Sequence, residues 1–408
     1  MHSLKITSGT NSVTGSVSLP LSKSISNRSL IISWLSGGKV RTGSLSAAED
    51  TFLLQRLLRQ MEEAGNKKLH AGNAGTVYRF LTALLAVTPG EWVLDGDERM
   101  YQRPIAPLVE ALRELGAQIH YLGREGFPPL RISGQELEGG RIRIRADVSS
   151  QFISALLMIG PVMSRGIDIF LEGDLVSMPY MWLTIDMMKM AGARINTHPF
   201  LRVRPYPYQE CTLPSVTDWS AAAPWYTIMA LAGSGSLLLR GLTDKSLQGD
   251  QTLPSFFIMF GVDTEWMEDG VRISKRKIVR REVNFDLNST PDLAPSIIVT
   301  AAAMGYKGHF TGLKALRIKE SDRIEAVANE LNRNGFKCIT TADTLSFLSQ
   351  ELLIKHPVET HNDHRIAMAF APLAMSGNAL TIIDPGVVKK SYPGFWEEMG
   401  KFMMFENI

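Results

Sequence analysis

The chain has 408 residues, and its 43 lysines and arginines against 41 aspartates and glutamates give a formal net charge of +2. With 45% hydrophobic and 21% charged residues, the composition is that of a folded protein and excludes a disordered chain. The near-neutral charge gives no general case for binding nucleic acid or an anionic membrane surface. At the usual ~100–200 residues per domain, we expect two or three domains.

Cysteine usage and the start of the chain restrict the cellular setting. Cys211 and Cys338 lie far apart in the sequence, so neither a disulfide framework nor a zinc cluster is indicated. The first residues lack the apolar core of a signal peptide, and no apolar run approaches the ~20 residues that span a bilayer. We therefore expect a cytoplasmic protein.

An amphipathic helical segment that ends in glycine recurs along the chain. In the second copy Leu108, Leu112 and Leu115 form the i, i+4, i+7 stripe of such a helix. Gly116 follows where a left-handed C-terminal cap is expected. The six copies end, in chain order, at Gly65, Gly116, Gly192, Gly261, Gly335 and Gly400.

A second, more apolar helical segment alternates with the first, and helices that are apolar on all sides are usually buried. Its six copies occupy residues 26–38, 75–90, 149–166, 220–235, 293–305 and 364–377. Strand-like pieces such as 142–144, 167–170 and 379–383 lie between the helices. The pattern predicts six copies of a strand–helix–strand–helix–strand unit. With chain crossings near residues 20 and 217, one domain is expected to hold residues 1–20 plus 218–408 and the other residues 21–217.

Charged and hydroxyl residues collect at the starts of these helices. Helix N-termini attract anions, whereas lysine and arginine placed there oppose the helix dipole. Repeated basic residues at this position therefore indicate that a multiply charged anion binds where the helix starts converge. The residues at helix starts are Lys23, Ser24, Asn27, Arg28, Asp50, Asn73, Gly75, Thr76, Arg79, Arg99, Arg103, Ser149, Ser150, Gln151, Ser177, Tyr180, Asp292, 319–323, 363–365 and 389–391.

The same residues have structural interpretations, as N-caps, charged first turns or a buried histidine. These alternatives apply to Ser24, Ser149, Ser177, Asp292, the segment 319–323 and His364. The loop GNAGT at 72–76 matches neither of the common glycine-rich phosphate motifs. No residue is decisive alone, and the recurrence at one structural position favours a ligand site.

At these residues the chain resembles the 5-enolpyruvylshikimate-3-phosphate synthase family. The matching stretches run in family order from residue 19 to 396, and the most specific are KSISNR (23–28), GNAGT (72–76), KESDR (319–323) and DHRIAM (363–368). The resemblance implies an α/β (α+β) enolpyruvyl transferase fold of two globules that close over the substrates. It also implies six βαβαββ repeats, three per domain, in an inside-out α/β barrel.

The resemblance further implies transfer of the enolpyruvyl group of phosphoenolpyruvate to the 5-hydroxyl of shikimate 3-phosphate, with release of phosphate through a tetrahedral intermediate. It implies no metal and no organic cofactor. The charge pattern of the sequence indicates neither a nucleic acid nor a membrane as a partner, and we expect a monomer. Motif positions give Asp292 as the base at the 5-hydroxyl and Glu320 as the proton donor to the methylene carbon, with Lys23 as an alternative for either role.

The motif positions also divide the binding residues between the two substrates. Phosphoenolpyruvate is assigned to Lys23, Asn73, Gly75, Thr76, Arg103, Arg323, Arg365 and Lys390. Shikimate 3-phosphate is assigned to Lys23, Ser24, Arg28, Ser149, Ser150, Gln151, Ser177, Tyr180, Asp292 and Lys319. Asp50 and His364 are second-tier candidates. Because Gly75 leaves space in the phosphoenolpyruvate pocket, competitive inhibition by glyphosate is expected.

Four departures from the family pattern and two rival functions complete the analysis. The segment TDWSAAAPWY (217–226) matches the corresponding family segment only loosely. The segment 51–72 is short enough that this repeat is predicted to lack a strand pair, and Met178 and Ala315 replace polar or basic residues common in the family. The rivals are a UDP-N-acetylglucosamine enolpyruvyl transferase and a catalytically silent binding protein on the same fold. The first typically carries a reactive cysteine in a mobile loop, whereas Cys211 and Cys338 have the sequence surroundings of ordinary small hydrophobic residues.

Overall fold

The structure is a computed structural model, and it describes residues 2–63, 67–147, 149–173, 176–278 and 281–408. The α-helices are α1 Lys23–Leu35, α2 Glu49–Glu62, α3 Gly75–Ala86, α4 Ala106–Glu114, α5 Ser150–Ile159, α6 Met178–Met190, α7 Ala223–Leu231, α8 Leu253–Phe257, α9 Ala294–Ala303, α10 Arg323–Arg333, α11 His364–Phe370 and α12 Phe395–Met399. The strands are β1 Ser3–Thr7, β2 Ser12–Ser18, β3 Val40–Thr42, β4 Lys68–His70, β5 Gly90–Asp95, β6 Gln118–Tyr121, β7 Leu130–Gly134, β8 Gly140–Arg145, β9 Ile167–Glu172, β10 Ile195–Asn196, β11 Leu201–Val203, β12 Cys211–Leu213, β13 Ser234–Arg240, β14 Val262–Met267, β15 Gly270–Lys275, β16 Glu282–Asp286, β17 Lys307–Thr311, β18 Ile339–Thr340, β19 Leu345–Phe347, β20 Val358–Glu359, β21 Leu380–Ile383 and β22 Met404–Asn407.

The described residues divide into two compact units. Unit 1 consists of those within Met1–Leu21, Ala47–Glu49 and Val216–Ile408, and unit 2 of those within Ser22–Ser46 and Asp50–Ser215. In unit 1 the sheets have the strand orders β20-β21-β1-β22, β14-β15-β13-β2 and β16-β17-β19-β18. The amino-terminal strands thus pair with carboxy-terminal ones: β1 lies antiparallel between β21 and β22, and β2 is parallel to β13.

Unit 2 also contains three sheets among its described residues, with the orders β10-β11-β9-β8, β4-β5-β7-β6 and β12-β3. Three sheets in each unit confirm the predicted fold class of six repeats. The β12-β3 sheet has two strands, whereas each of the others has four. Between α2 and β4 the described residues form no strand, whereas a hairpin follows α4 and α6, in agreement with the strand pair that the short segment 51–72 was predicted to lack.

The predicted apolar helices are buried. In α5 every residue except Gln151 is buried, and in α9 every residue except Ala303. A fully buried leucine or isoleucine side chain contributes ~1.5–3 kcal/mol relative to an exposed one, so these helices anchor each unit and hold their N-termini in place. By contrast, α4 buries Leu108, Val109, Ala111 and Leu112 and exposes its polar face.

The glycine that ends each amphipathic helix has the expected backbone in four of the five copies that the structure describes. Gly116 has φ 94°, a left-handed conformation that a side chain would disfavour, and Gly192, Gly261 and Gly335 share it. The prediction for Gly65 falls outside the described residues. Gly400 differs: it caps the five-residue α12 with φ −64°, so this end does not need glycine.

Candidate active site

The start of α1 places Lys23 beside Asp50. Ser22 is the N-cap, and its side chain accepts a hydrogen bond from the backbone N–H of Ile25. The cap interpretation of Ser24 is therefore wrong, because Ser24 lies inside the first turn. Lys23 Nζ lies 2.8 Å from Asp50 Oδ2, and both side chains are largely shielded from solvent. The helix dipole disfavours a positive charge at the start of a helix, and the carboxylate of Asp50 offsets this effect for Lys23.

Arg28 lies one turn further along α1, and its guanidinium is engaged inside unit 2. Nε donates to Thr184 Oγ1 at 2.7 Å, and Nη2 donates to Ser154 Oγ at 3.2 Å. Further bonds reach the carbonyl oxygens of Ser24 and Tyr180 at 2.9 and 3.3 Å. Burial lowers the pKa of Arg28 to about 10, which leaves it cationic at neutral pH. With four of five donors used, Arg28 ties the start of α1 to α5 and α6.

The loop before α3 binds the side chain of a second arginine, Arg103. Arg103 Nη1 donates to the carbonyl oxygen of Asn73 at 3.1 Å and to its Oδ1 at 3.2 Å. The guanidinium lies directly over Gly75: a Cβ at that position would meet Arg103 Nη2 at 2.3 Å. Gly75 therefore leaves the space that the guanidinium occupies, and a side chain at this position would displace Arg103.

Gln151 connects the starts of α3 and α5. Its Nε2 donates to Thr76 Oγ1 at 3.0 Å, and its Oε1 accepts from Arg79 Nη1. Arg79 stacks over Phe152 at 5.1 Å from the ring centroid. Thr76 and Gln151 were both predicted as ligands, and the structure brings them together. Arg79, Ser154 and Thr184 contact the predicted residues but were assigned to neither substrate. Arg79 and Ser154 had a signal in the sequence, as polar residues on apolar helices, whereas Thr184 lies on a helix of the amphipathic set and had none.

The predicted serines at the starts of α5 and α6 occupy different positions. Ser149 is the N-cap of α5 and accepts from the N–H of Gln151 at 3.3 Å, so its cap interpretation is confirmed. Ser150 is the first, buried residue of α5. Ser177 precedes α6 without a side-chain cap bond and has φ 55°. This left-handed conformation is uncommon for serine, and such conformations cluster at functional sites. Tyr180 is half-buried in the first turn of α6.

In unit 1, Asp292 lies among three cations that come from two other segments. Its Oδ1 is 3.0 Å from Arg323 Nη1 and 3.4 Å from Lys319 Nζ, and its Oδ2 is 3.5 Å from Arg365 Nη2. Asp292 lies inside the 3-10 turn Pro291–Leu293, and the N-cap positions of this turn and of α9 are Thr290 and Leu293, so the cap interpretation of Asp292 is wrong. Burial acts to raise the pKa of Asp292, but the three cations outweigh it and hold this pKa well below its usual range.

Arg323 is the centre of this cluster. Its Nη2 donates to Glu320 Oε2 at 2.9 Å and its Nε to Asp363 Oδ2 at 2.8 Å, in addition to its bond to Asp292. Burial would lower the pKa of Arg323, but the carboxylates of Asp363, Glu320 and Asp292 raise it above its ordinary value. Asp322 caps α10, so the segment 319–323 is partly a charged first turn, yet Arg323 itself is buried rather than solvated.

Asp363, next to His364 in the sequence, has two roles in the structure. It caps α11 by accepting from the N–H of Arg365 at 2.9 Å, and it holds Arg323 and Ser321 through its carboxylate. His364 is buried with Nδ1 3.6 Å from Asp363 Oδ1. Lys390 is the last residue of a 3-10 helix, Pro385–Lys390, that packs against α11.

The arrangement suits the binding of an anion. Three carboxylates, Asp292, Glu320 and Asp363, face three cations within a shielded cluster, so an incoming anion can exchange partners with them. Among the described residues, no group of three or more His, Cys, Asp or Glu has the arrangement of a metal site.

None of the described helices combines the length and apolar character needed to cross a membrane.

Comparison with known proteins places the chain. The family model of EPSP synthase (3-phosphoshikimate 1-carboxyvinyltransferase) matches residues 7–399. A 3-phosphoshikimate 1-carboxyvinyltransferase of Bacteroides fragilis is 43% identical over 399 residues, 97% of this chain and 96% of the relative. One of Psychromonas ingrahamii is 33% identical over 415 residues, 95% of this chain and 96% of the relative.

The solved structures agree at the level of the fold. An EPSP synthase from Acinetobacter baumannii, solved at 2.37 Å, aligns over 100% of both chains with a TM-score of 0.75 and 22% sequence identity. The match of the family model and the 43% identity of the Bacteroides fragilis relative extend over nearly the whole sequence. The chain therefore belongs to the EPSP synthase (3-phosphoshikimate 1-carboxyvinyltransferase) family.

Proposed function

We propose that this protein transfers the enolpyruvyl group of phosphoenolpyruvate to the 5-hydroxyl of shikimate 3-phosphate and releases inorganic phosphate. The relatives of the same family support the reaction. The observation that carries the proposal is the guanidinium of Arg323, which holds Asp292 Oδ1 at 3.0 Å and Glu320 Oε2 at 2.9 Å. One buried cation thus contacts both residues that are proposed as proton acceptor and proton donor.

The roles proposed for the residues of unit 1 follow from this geometry. Protonation of the methylene carbon by Glu320 makes C2 of phosphoenolpyruvate cationic, and the 5-hydroxyl attacks C2 while Asp292 accepts its proton. Phosphate then leaves the tetrahedral intermediate with the proton from Asp292, while the now ionised Glu320 takes a proton from the methyl group, so that the double bond of the enolpyruvyl product forms. Lys319 would bind shikimate 3-phosphate, and the substrate phosphate and carboxylate groups would take the guanidinium donors of Arg323 and Arg365, with Lys390 close by.

The residues of unit 2 supply the remaining proposed contacts. Gly75 and the Arg103–Asn73 pair would serve phosphoenolpyruvate together with Thr76. Lys23 would contact both substrates, and its partner Asp50 limits its motion. Shikimate 3-phosphate would be held by hydroxyl, amide and guanidinium groups at the starts of α1, α5 and α6, namely Ser24, Arg28, Ser149, Ser150, Gln151, Ser177 and Tyr180. His364 stays a second-tier candidate.

The experiment that tests the proposal is release of phosphate from phosphoenolpyruvate by the purified protein. Release is expected with shikimate 3-phosphate and not without it, and the organic product should gain the mass of an enolpyruvyl group. UDP-N-acetylglucosamine in place of shikimate 3-phosphate should give no release. Release with the nucleotide sugar instead would establish the sister activity, and no release with either acceptor would make the protein a silent binding protein.

A further inference from the structure

A buried polar network lies immediately before α7, in a segment outside the motifs from which the site residues were predicted. Asp218 caps the 3-10 turn Trp219–Ala222, and its Oδ1 accepts from the N–H of Ser220 at 3.0 Å, from Ser220 Oγ at 2.8 Å and from Gln248 Nε2 at 2.9 Å. The orientation of the Gln248 amide is fixed by the N–H of Trp219, which donates to its Oε1 at 3.0 Å. Each of these side chains is at least nine-tenths buried.

The network ends on Arg365. Nη2 of Arg365 donates to Ser220 Oγ at 2.6 Å, and Nη1 donates to the carbonyl oxygen of Ser220 at 3.1 Å. Because a guanidinium only donates, the Ser220 hydroxyl must accept from Arg365, and its own proton must point to Asp218. Ser220 therefore has one possible hydrogen-bond direction, and the negative charge of Asp218 is relayed to Arg365 through it.

The same Nη2 atom of Arg365 faces Asp292. It lies 3.5 Å from Asp292 Oδ2, beyond a good hydrogen bond, whereas Arg323 Nη1 approaches the other oxygen of Asp292 to 3.0 Å. The attraction between two opposite charges this close in a shielded site would be expected to shorten the gap. The two hydrogen bonds that Arg365 donates to Ser220 oppose that movement.

We propose that Ser220 is a positioning residue that holds the Arg365 guanidinium off Asp292, so that Arg365 stays available to substrate and Asp292 stays available as a base. The inference rests on the proposed function and deepens it. Without the hydroxyl, Arg365 loses the acceptor of Nη2 and turns towards Asp292. Phosphoenolpyruvate then loses a preorganised cation, and the base becomes more tightly paired.

The test is the Ser220→Ala variant, compared with wild type in phosphate release at saturating shikimate 3-phosphate. We expect kcat/KM for phosphoenolpyruvate to fall about 10- to 100-fold, the effect of losing one hydrogen bond to a charged group, while KM for shikimate 3-phosphate changes less than about threefold. Ser220→Thr keeps the hydroxyl and should restore most of the activity. Ser220→Cys, nearly isosteric but a weak acceptor, should behave like Ser220→Ala and serves if the alanine variant does not fold.

Two further measurements separate positioning from general destabilisation. Thr227→Val removes another buried hydroxyl, on α7 and bonded to Thr300 at 2.8 Å, and should leave kcat/KM unchanged. In the Arg365→Ala background, Ser220→Ala should cost less than about threefold, because the residue through which it acts is absent. An undiminished loss in that background, or wild-type kinetics of the single variant, overturns the inference.

A crystal structure of Ser220→Ala gives a readout that does not depend on turnover. We expect Arg365 Nη2 to approach Asp292 Oδ2 to about 3 Å, compared with 3.5 Å here. A guanidinium that stays in place would refute the positioning role even if activity falls. Absence of shikimate-3-phosphate-dependent turnover in the wild type would instead reject the proposed function, and the distance would still decide whether Ser220 holds the arginine.

Discussion

Replacing Gly75 by alanine should selectively weaken the binding of phosphoenolpyruvate, because the new methyl group collides with Arg103. The added Cβ would lie 2.3 Å from Nη2, 2.6 Å from Cζ and 2.9 Å from Nη1 of that guanidinium. Ordinary van der Waals contact begins at 3.4 Å, so the guanidinium must move by about 1 Å. Arg103 is 2% exposed and bonded to Asn73, so a shift of this size breaks its present contacts.

The expected magnitude follows from the contact that Arg103 makes with an anion. A hydrogen bond to a charged group is worth about 1.5–3 kcal/mol, and each 1.4 kcal/mol is a factor of ten in affinity. Losing one such bond should raise KM for phosphoenolpyruvate roughly 10- to 100-fold. The helix itself should not suffer, because alanine is favoured over glycine by about 1 kcal/mol inside a helix.

The assay is steady-state phosphate release with phosphoenolpyruvate varied at saturating shikimate 3-phosphate. KM for shikimate 3-phosphate should move little, and inhibition by glyphosate should weaken with the loss of phosphoenolpyruvate affinity. Gly123→Ala is a matched control in the same unit, because its Cβ would meet its nearest neighbour, Pro129 Cδ, at 3.5 Å. An unchanged KM for phosphoenolpyruvate in a folded Gly75→Ala variant would show that Arg103 does not contact this substrate.

Three other outcomes are expected. Asp292→Asn and Glu320→Gln should each lower kcat by about 10²–10⁴-fold with the fold intact, whereas the exposed control Glu351→Gln should not; near-normal turnover of either variant would remove that residue from the mechanism. In denaturant titrations, the wild type should exceed Asp292→Asn in unfolding free energy at neutral pH. Because the folded pKa of Asp292 lies below its unfolded value of 3.8, this advantage should be complete above that value and shrink as pH falls below it; a pH-independent difference would contradict the ion-pair cluster. Alkylation of thiols at pH 7.5 should leave turnover intact, because burial raises the pKa of Cys338 to about 12 and also raises that of Cys211; inactivation would favour the rival that uses a cysteine.

The repeat architecture could be predicted because the spacing of apolar residues within each segment indicates a helix or a strand. Each buried helix is apolar on all faces, and each amphipathic one ends at a glycine, so six pairs were visible without any tertiary information. The short segment 51–72 likewise predicted that its repeat lacks a strand pair, and the described residues of that repeat form the two-stranded sheet β12-β3. The exact ends of helices were harder to predict than the helices themselves. Serine is a favourable N-cap residue at both Ser22 and Ser24, and the sequence pattern does not distinguish two candidates that are two residues apart.

Partners that are distant in sequence could not be predicted from pattern. The bonds of Arg28 to Thr184 and of Arg323 to Asp363 join different helices, and composition carries no signal for such pairs. The position of Arg103 against Gly75 is also a tertiary property. Ser220 was not predicted as a site residue, because a serine at the start of an apolar helix suggests only an N-cap. Its proposed role depends on Arg365, which is distant in sequence and donates a hydrogen bond to it.

The low pKa of Asp292 has a consequence for the order of events in the proposed reaction. In the protein without substrates, the cations around Asp292 stabilise its ionised form so strongly that it is a weak base. Substrate phosphate and carboxylate groups would compete for Lys319, Arg323 and Arg365, and each cation they engage withdraws part of that stabilisation. The pKa of Asp292 should therefore rise towards its ordinary range as the anions bind. A carboxylate that becomes an effective base only when both anionic substrates are present would abstract the hydroxyl proton at the moment when an electrophile is available, which ties the timing of proton transfer to occupancy of the site.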